Sequence, residues 1–192
     1  MHDTRTLWES QGSHANWSIS TVAVRDRIRL RRVQTQAEGY LELGMPQHAL
    51  DVLTRLGDLS NFNSHALCLW GEALQTMDRF ADALIPLSRA AKLAPDNIHI
   101  WLAMGWCHKR TGDIDLAIED LEEALAVDSS EAIIHYNLSC YLCLVGDKSR
   151  ALFHLGEALA IDPEYRDLIE KEKDFDSIRS DPEFLQLVKI IV

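Results

Sequence analysis

Proline and glycine are scarce, at five and nine in 192 residues, so long stretches contain nothing that must break a helix. Long apolar runs are missing too. None approaches the roughly 20 residues that a membrane span requires. The first twenty residues, MHDTRTLWESQGSHANWSIS, have neither the basic start nor the continuous apolar stretch of a secretory signal. We therefore expect a cytoplasmic protein, and read the Asn16-Trp17-Ser18 match to a glycosylation acceptor as accidental. The sequence also lacks G-x-S-x-G, H-E-x-x-H and phosphate-loop patterns, and no G-x-G-x-x-G follows a strand, so no catalytic residues are assigned and no enzyme is expected.

Cysteine is limited to Cys68, Cys107, Cys140 and Cys143, all inside helical patterns rather than in a loop framework. That usage suits buried thiols in a reducing compartment. Cys140 and Cys143 spell CxxC, but without the second pair that zinc requires and without the strand that precedes a thioredoxin-type helix. His65, Cys68 and His99 can share one face of neighbouring units, yet no fourth ligand is evident. We expect no metal and no cofactor.

Positive charge is in deficit. The formal net charge is −11, which argues against nucleic acid as a partner. One segment runs the other way: Arg25, Arg27, Arg29, Arg31 and Arg32 against Asp26 give +4, leaving −15 for the remainder. This is either a solvated helix face that balances an acidic body or a docking patch, and it allows a homodimer held by charge.

What is present is a repeat. Shifting the sequence by 34 residues aligns small residues at Ala37, Gly71, Gly105 and Ser139, and alanine at Ala49, Ala83, Ala117 and Ala151. Other columns read Leu50, Leu84, Ile118, Leu152 and Leu53, Leu87, Leu121, Leu155. A turn column reads Gly44, Asp78, Gly112, Gly146, and an inter-unit column reads Asn61, Pro95, Ser129, Pro163. Each unit is then two short amphipathic helices. The small column lets them cross closely, and the turn column supplies a positive φ. One pair alone cannot bury its apolar face, so the units must stack.

The pattern resembles the tetratricopeptide repeat family, whose first helix carries a large residue, Leu-Gly and Tyr, and whose second carries Ala, Phe, Ala and Pro. The third unit offers Trp101, Met104-Gly105 and His108, then Ala117, Leu121 and Ala124; the second offers Trp70-Gly71, Ala83, Leu87, Ala90 and Pro95. The first unit is weakest, because it lacks the Pro and LGDLSNFN blurs its end. The resemblance implies an all-α fold: a right-handed α-solenoid of four 34-residue helix-turn-helix repeats with C-terminal capping helices. We place the repeats at about 30–63, 64–97, 98–131 and 132–165, inside an array spanning 22–165. Residues 1–21, with Trp8 and Trp17, read as a mobile arm. Residues 166–192 read as capping helices, with Phe175, Ile178, Phe184, Leu185 and Leu187 covering the last repeat. The tail DFDSIRSDPEF resembles that of many bacterial members.

In this family the first helix of each unit lines a concave groove. The resemblance therefore implies a protein-interaction scaffold or adaptor that binds a protein or peptide segment there. We take His99, Leu102, Trp106, Lys109, Arg110, Ile133, Tyr136, Asn137 and Cys140 as candidate groove residues, with Leu102, Trp106 and Tyr136 as apolar anchors. The N-terminal half of the groove, with Gln34, Glu38, His65, Cys68, Glu72 and Gln75, is polar. The family's carboxylate clamp is poorly matched at Gln34, Glu38, Leu69, His99 and Ala103. A small acidic secretion-type chaperone is the alternative within this class. An enzyme or metal-binding protein with an unrecognised site is the alternative outside it.

Overall fold

The computed structural model describes the backbone of residues 12–58 and 62–190, with side chains from residue 25 to 189 within those spans. Among the described residues there are ten α-helices and no strand. Eight of them form the four pairs: α1 (Gly12–Glu42) with α2 (Pro46–Leu53), α3 (Ser64–Thr76) with α4 (Phe80–Leu93), α5 (Ile98–Thr111) with α6 (Ile114–Val127), and α7 (Ala132–Leu144) with α8 (Lys148–Ile161). Each of the eight packs on its hairpin partner, and successive pairs meet through α2 and α3, α4 and α5, and α6 and α7, as a stacked array requires.

The four hairpin turns share one backbone solution. In each, the turn residue has a positive φ: Gly44 at 68°, Asp78 at 57°, Gly112 at 93° and Gly146 at 80°. The following amide reaches back five residues, Met45 to Tyr40, Arg79 to Leu74, Asp113 to His108 and Asp147 to Leu142, at 2.8–2.9 Å. This is the left-handed helix stop in which the last carbonyls are satisfied locally. Asp78 is the one described non-glycine residue that adopts it.

Helix crossings are set by the small column. A Cβ on Gly71 would lie 2.7 Å from Leu87 Cγ and Cδ2, and one on Gly105 would lie 3.2 Å from the Ala117 carbonyl oxygen. Ala37 and Ser139 are fully buried at the matching positions. Around them the apolar columns form two core clusters. One runs from Val33 to Cys107 and the other from Ala117 to Phe184, with Trp101 packed against both. Trp101 also donates its indole N–H to the Pro95 carbonyl at 2.8 Å.

Three features depart from the sequence-based expectations. Residues 12–21, assigned to a mobile arm, are helical and continuous with the first repeat. No Pro or Gly lies between residues 13 and 38 to stop the helix. Trp8 lies outside the described residues. Second, α2 has only eight residues and decays into a 3-10 turn at Thr54–Leu56, followed by Gly57 at φ 91°. The equivalent helices α4, α6 and α8 have 14 each. The inter-unit residue Asn61 is outside the described residues.

Third, the C-terminal capping helices are short and are joined by 3-10 turns into a compact knot. It comprises a 3-10 turn at Pro163–Tyr165, α9 (Arg166–Ile169), a 3-10 turn at Lys173–Phe175 and α10 (Pro182–Ile190). The Arg179 guanidinium donates to the carbonyls of Ile169, Glu170 and Glu172, which holds the reversal. Phe175, Ile178 and Phe184 are buried as expected, whereas Leu185 is exposed.

Candidate functional site

The candidate residues lie on α5 and α7, the first helices of repeats three and four, and the cap divides them. On α5, Trp106 is 42% exposed, a large aromatic left in water. The Arg110 guanidinium lies 4.2 Å from the Phe80 ring centroid and 5.3 Å from that of Trp106, bridging repeats two and three. Its ion pair with Asp78 is loose, at 3.6 Å between exposed partners. His99 is exposed and Leu102 half-buried beside this cluster on the same helix.

On α7 the chain covers its own candidate site. Tyr136 and Cys140, expected as groove contacts, are buried beneath the cap, with 6% and 2% exposure. The Tyr136 ring packs against Tyr165 at 4.9 Å and edge-on against Phe175 at 5.9 Å. Phe175 also packs against Phe184 of α10, with ring centroids 5.7 Å apart, so the cap carries its own apolar contacts onto α7. Lys109 is recruited too: its ammonium pairs with Asp174 and sits 5.1 Å from the Tyr141 ring centroid and 5.9 Å from that of Trp106. Ile133 is exposed at the first turn of α7, and Asn137 is half-buried.

The cap places Glu172 and Asp174 near a thiol. The donor atoms of Cys140, Glu172 and Asp174 lie within 4.8 Å of one another. The Lys109 ammonium already supplies the charge that compensates Asp174. Burial, reinforced by those carboxylates, pushes the Cys140 thiol far up, and burial raises Cys143 to about 11. Such thiols are poor nucleophiles at neutral pH. Two residues here were missed by sequence reasoning, Phe80 and Asp174. Phe80 stood at a core position next to the turn, and Asp174 fell outside the 34-residue period that located everything else.

The N-terminal part of the groove is polar. His65 Nε2 and Glu38 Oε1 are 2.6 Å apart across repeats one and two. Glu72 is raised, by burial first and then by Glu38, with His65 opposing. Burial, then Glu72, lifts the Cys68 thiol to about 11. Gln34 is buried and donates to Asn63, the cap residue of α3, while Gln75 donates to the Ala103 carbonyl. Both glutamines hold adjacent repeats together rather than facing a ligand.

The third repeat carries a family match. Residues 98–131 match the model of the tetratricopeptide repeat. That repeat is a tetratricopeptide repeat, and the other three helix pairs share its architecture. The family is one of protein-interaction scaffolds, and solved α-solenoids share the fold. A crystal structure of MamA has 19% identity and a TM-score of 0.66, covering 77% of this chain and 86% of that one. A second MamA structure, MSR-1 C2, reaches 0.68 at 19% identity, over 85% and 95%. The structure of YrrB, described as a TPR protein with an unusual peptide-binding site, gives 0.63 at 22% identity over 71% of each chain. No curated protein matches the chain in sequence. Among the described residues, no helix is long and apolar enough to cross a membrane.

Proposed function

We propose that this chain is a non-catalytic adaptor that takes a peptide or protein segment against the open part of its groove, with Trp106 as the main anchor. The observation that carries this reading is the exposed indole of Trp106, bracketed by Arg110 and Leu102 where no element among the described residues covers it. Aromatic and arginine side chains dominate the energetics of such contacts. Because Lys109 is engaged by Asp174, an acidic group on the partner falls to Arg110. Tyr136 and Cys140 are not contacts in this reading, and Ile133 marks the limit of the open surface. A cytoplasmic location belongs to the same reading, supported by four free cysteines.

The test is capture of partners from native cells on immobilised protein, compared between the wild type and Trp106→Ala with Arg110→Ala. The variant should lose partners that the wild type retains, with helical circular dichroism unchanged. Equal capture by a folded variant would sink the groove reading.

A further inference from the structure

The first helix outruns its repeat. Equivalent first helices have 13 or 14 residues, whereas α1 has 31, and its described core residues begin only at Val33. Residues 25–32 therefore project a charged surface that no other described residue covers. Arg25, Arg27, Arg29, Arg31 and Arg32 are all exposed, and Ile28 among them is 53% exposed. At 100° per residue, Arg25 and Arg32 flank Ile28 on one side and Arg27 and Arg31 on the other. Among the described residues none of these five arginines forms an ion pair; Arg29 donates to the Arg55 carbonyl. An apolar centre with a charged rim is the anatomy of an interface.

The complement is on the same chain, two repeats away. The solvent-facing side of α6 exposes Leu116 and Val127, at 44% and 42%, alongside Asp115, Glu119 and Glu123. These three carboxylates follow i, i+4, i+8 spacing along one edge and form no ion pair among the described residues. Among the described residues no ion pair links α1 to α6.

We infer that α1 of one copy docks through Ile28 and its arginines onto the acidic, apolar face of α6 on a second copy. Two different patches meet, so the contact is head-to-tail and can propagate into a ring or filament. A polyanion is the poorer occupant. Outside residues 25–32 the chain carries −15, and that body would be repelled by a nucleic acid or an acidic membrane. Individually, exposed ion pairs are weak, so the association needs several at once and is sensitive to salt. This surface is separate from the Trp106 groove, and the two readings fail independently.

The experiment is light scattering of the full chain at about 20 mM and about 500 mM salt, bracketing the range over which exposed charges are screened. The wild type should exceed the mass of one chain at low salt and fall to it at high salt. Arg27→Glu with Arg31→Glu, and separately Asp115→Lys with Glu119→Lys and Glu123→Lys, should each be monomeric at low salt. Mixing the two variants should restore assembly, because each then offers a surface complementary to the other. A wild type that is monomeric at low salt overturns the inference. So does assembly that survives either charge reversal, or a mixture of folded variants that stays monomeric.

Discussion

His135 and His154 meet Nδ1 to Nδ1 at 3.0 Å, buried between α7 and α8. His135 Nε2 lies 3.1 Å from the Ser129 carbonyl, which can only accept, so that nitrogen carries the proton. His135 Nδ1 is then bare and accepts from His154 Nδ1–H. Both rings are neutral in this arrangement, and an added proton has no acceptor between them. Burial first, then His135 and Arg150, push His154 down to about 4, with Glu122 opposing.

The consequence is a dependence of stability on pH. Unfolded His154 binds a proton below about 6.5, while the folded residue resists until about 4. Across that window the unfolded state holds more protons, so stability falls as pH drops and levels off below it. The loss amounts to at most roughly 3 kcal/mol. Urea midpoints of the wild type should decline between these pH values more steeply than those of His154→Leu. Parallel profiles would show that the pair is not buried neutral.

A second expectation concerns the turns. Asp78 holds φ at 57° where its three counterparts are glycine, and its pairing with Arg110 at 3.6 Å is too loose and exposed to compensate. A left-handed conformation costs an ordinary L-residue about 1–2 kcal/mol, and an aspartate somewhat less. Asp78→Gly should therefore raise the melting temperature by about 1–2 °C after the entropic cost of glycine is included. Gly146→Ala, at φ 80°, should lower it by a larger amount. Calorimetry of the two variants checks the opposite signs.

The turn column illustrates what was legible in the sequence. Every feature that recurs at 34 residues, from Ala83 and Ala117 to Gly112 and Gly146, faces the same environment in each repeat and so leaves a column. The cap leaves none. Lys109 and Asp174 are 65 residues apart, off the period, and Tyr136 occupied the same column as Leu102 and Cys68 although Tyr165 and Phe175 cover it alone. The His135–His154 contact is likewise confined to one repeat. The matching positions are Val33 and Val52 in the first and Trp101 and Asp120 in the third, where Asp120 pairs with His108 instead. The start of α1 was placed late because Ser13, Asn16, Ser18 and Ser20 give no apolar period, although nothing there prevents a helix.

The small column predicts two substitutions of opposite sign. Gly71→Ala puts a methyl 2.7 Å from a Leu87 side chain that is 2% exposed and has nowhere to move. Overpacking of this kind costs about 1–3 kcal/mol, more than the helix propensity gained by alanine. At the equivalent place in repeat four, the Ser139 hydroxyl is buried without a hydrogen-bond partner. Ser139→Ala removes that group where Ala37 already shows that a buried methyl fits, and should gain about 1 kcal/mol. Denaturant midpoints should move down for the first and up for the second.

The closing of the groove by the cap is open to a chemical test through its thiols. Cys68 is half-buried, whereas Cys140 lies under Glu172, Asp174 and Phe175 with 2% exposure. Both thiols are raised, Cys140 the further, so a neutral thiol reagent at pH 8 should modify Cys68 first and Cys140 slowest. Phe175 has no exposed surface, and Phe175→Ala should cost about 3–5 kcal/mol. It should also speed the labelling of Cys140 and Cys143 while leaving Cys68, two repeats away, at its original rate. Asp174→Asn is the milder probe, since it keeps the shape of the cap and releases only the charge that holds Lys109. Peptide mapping of the labelled sites gives the order. If Cys140 of the wild type reacts as fast as Cys68, the cap does not cover α7 in solution, and Tyr136 returns to the groove.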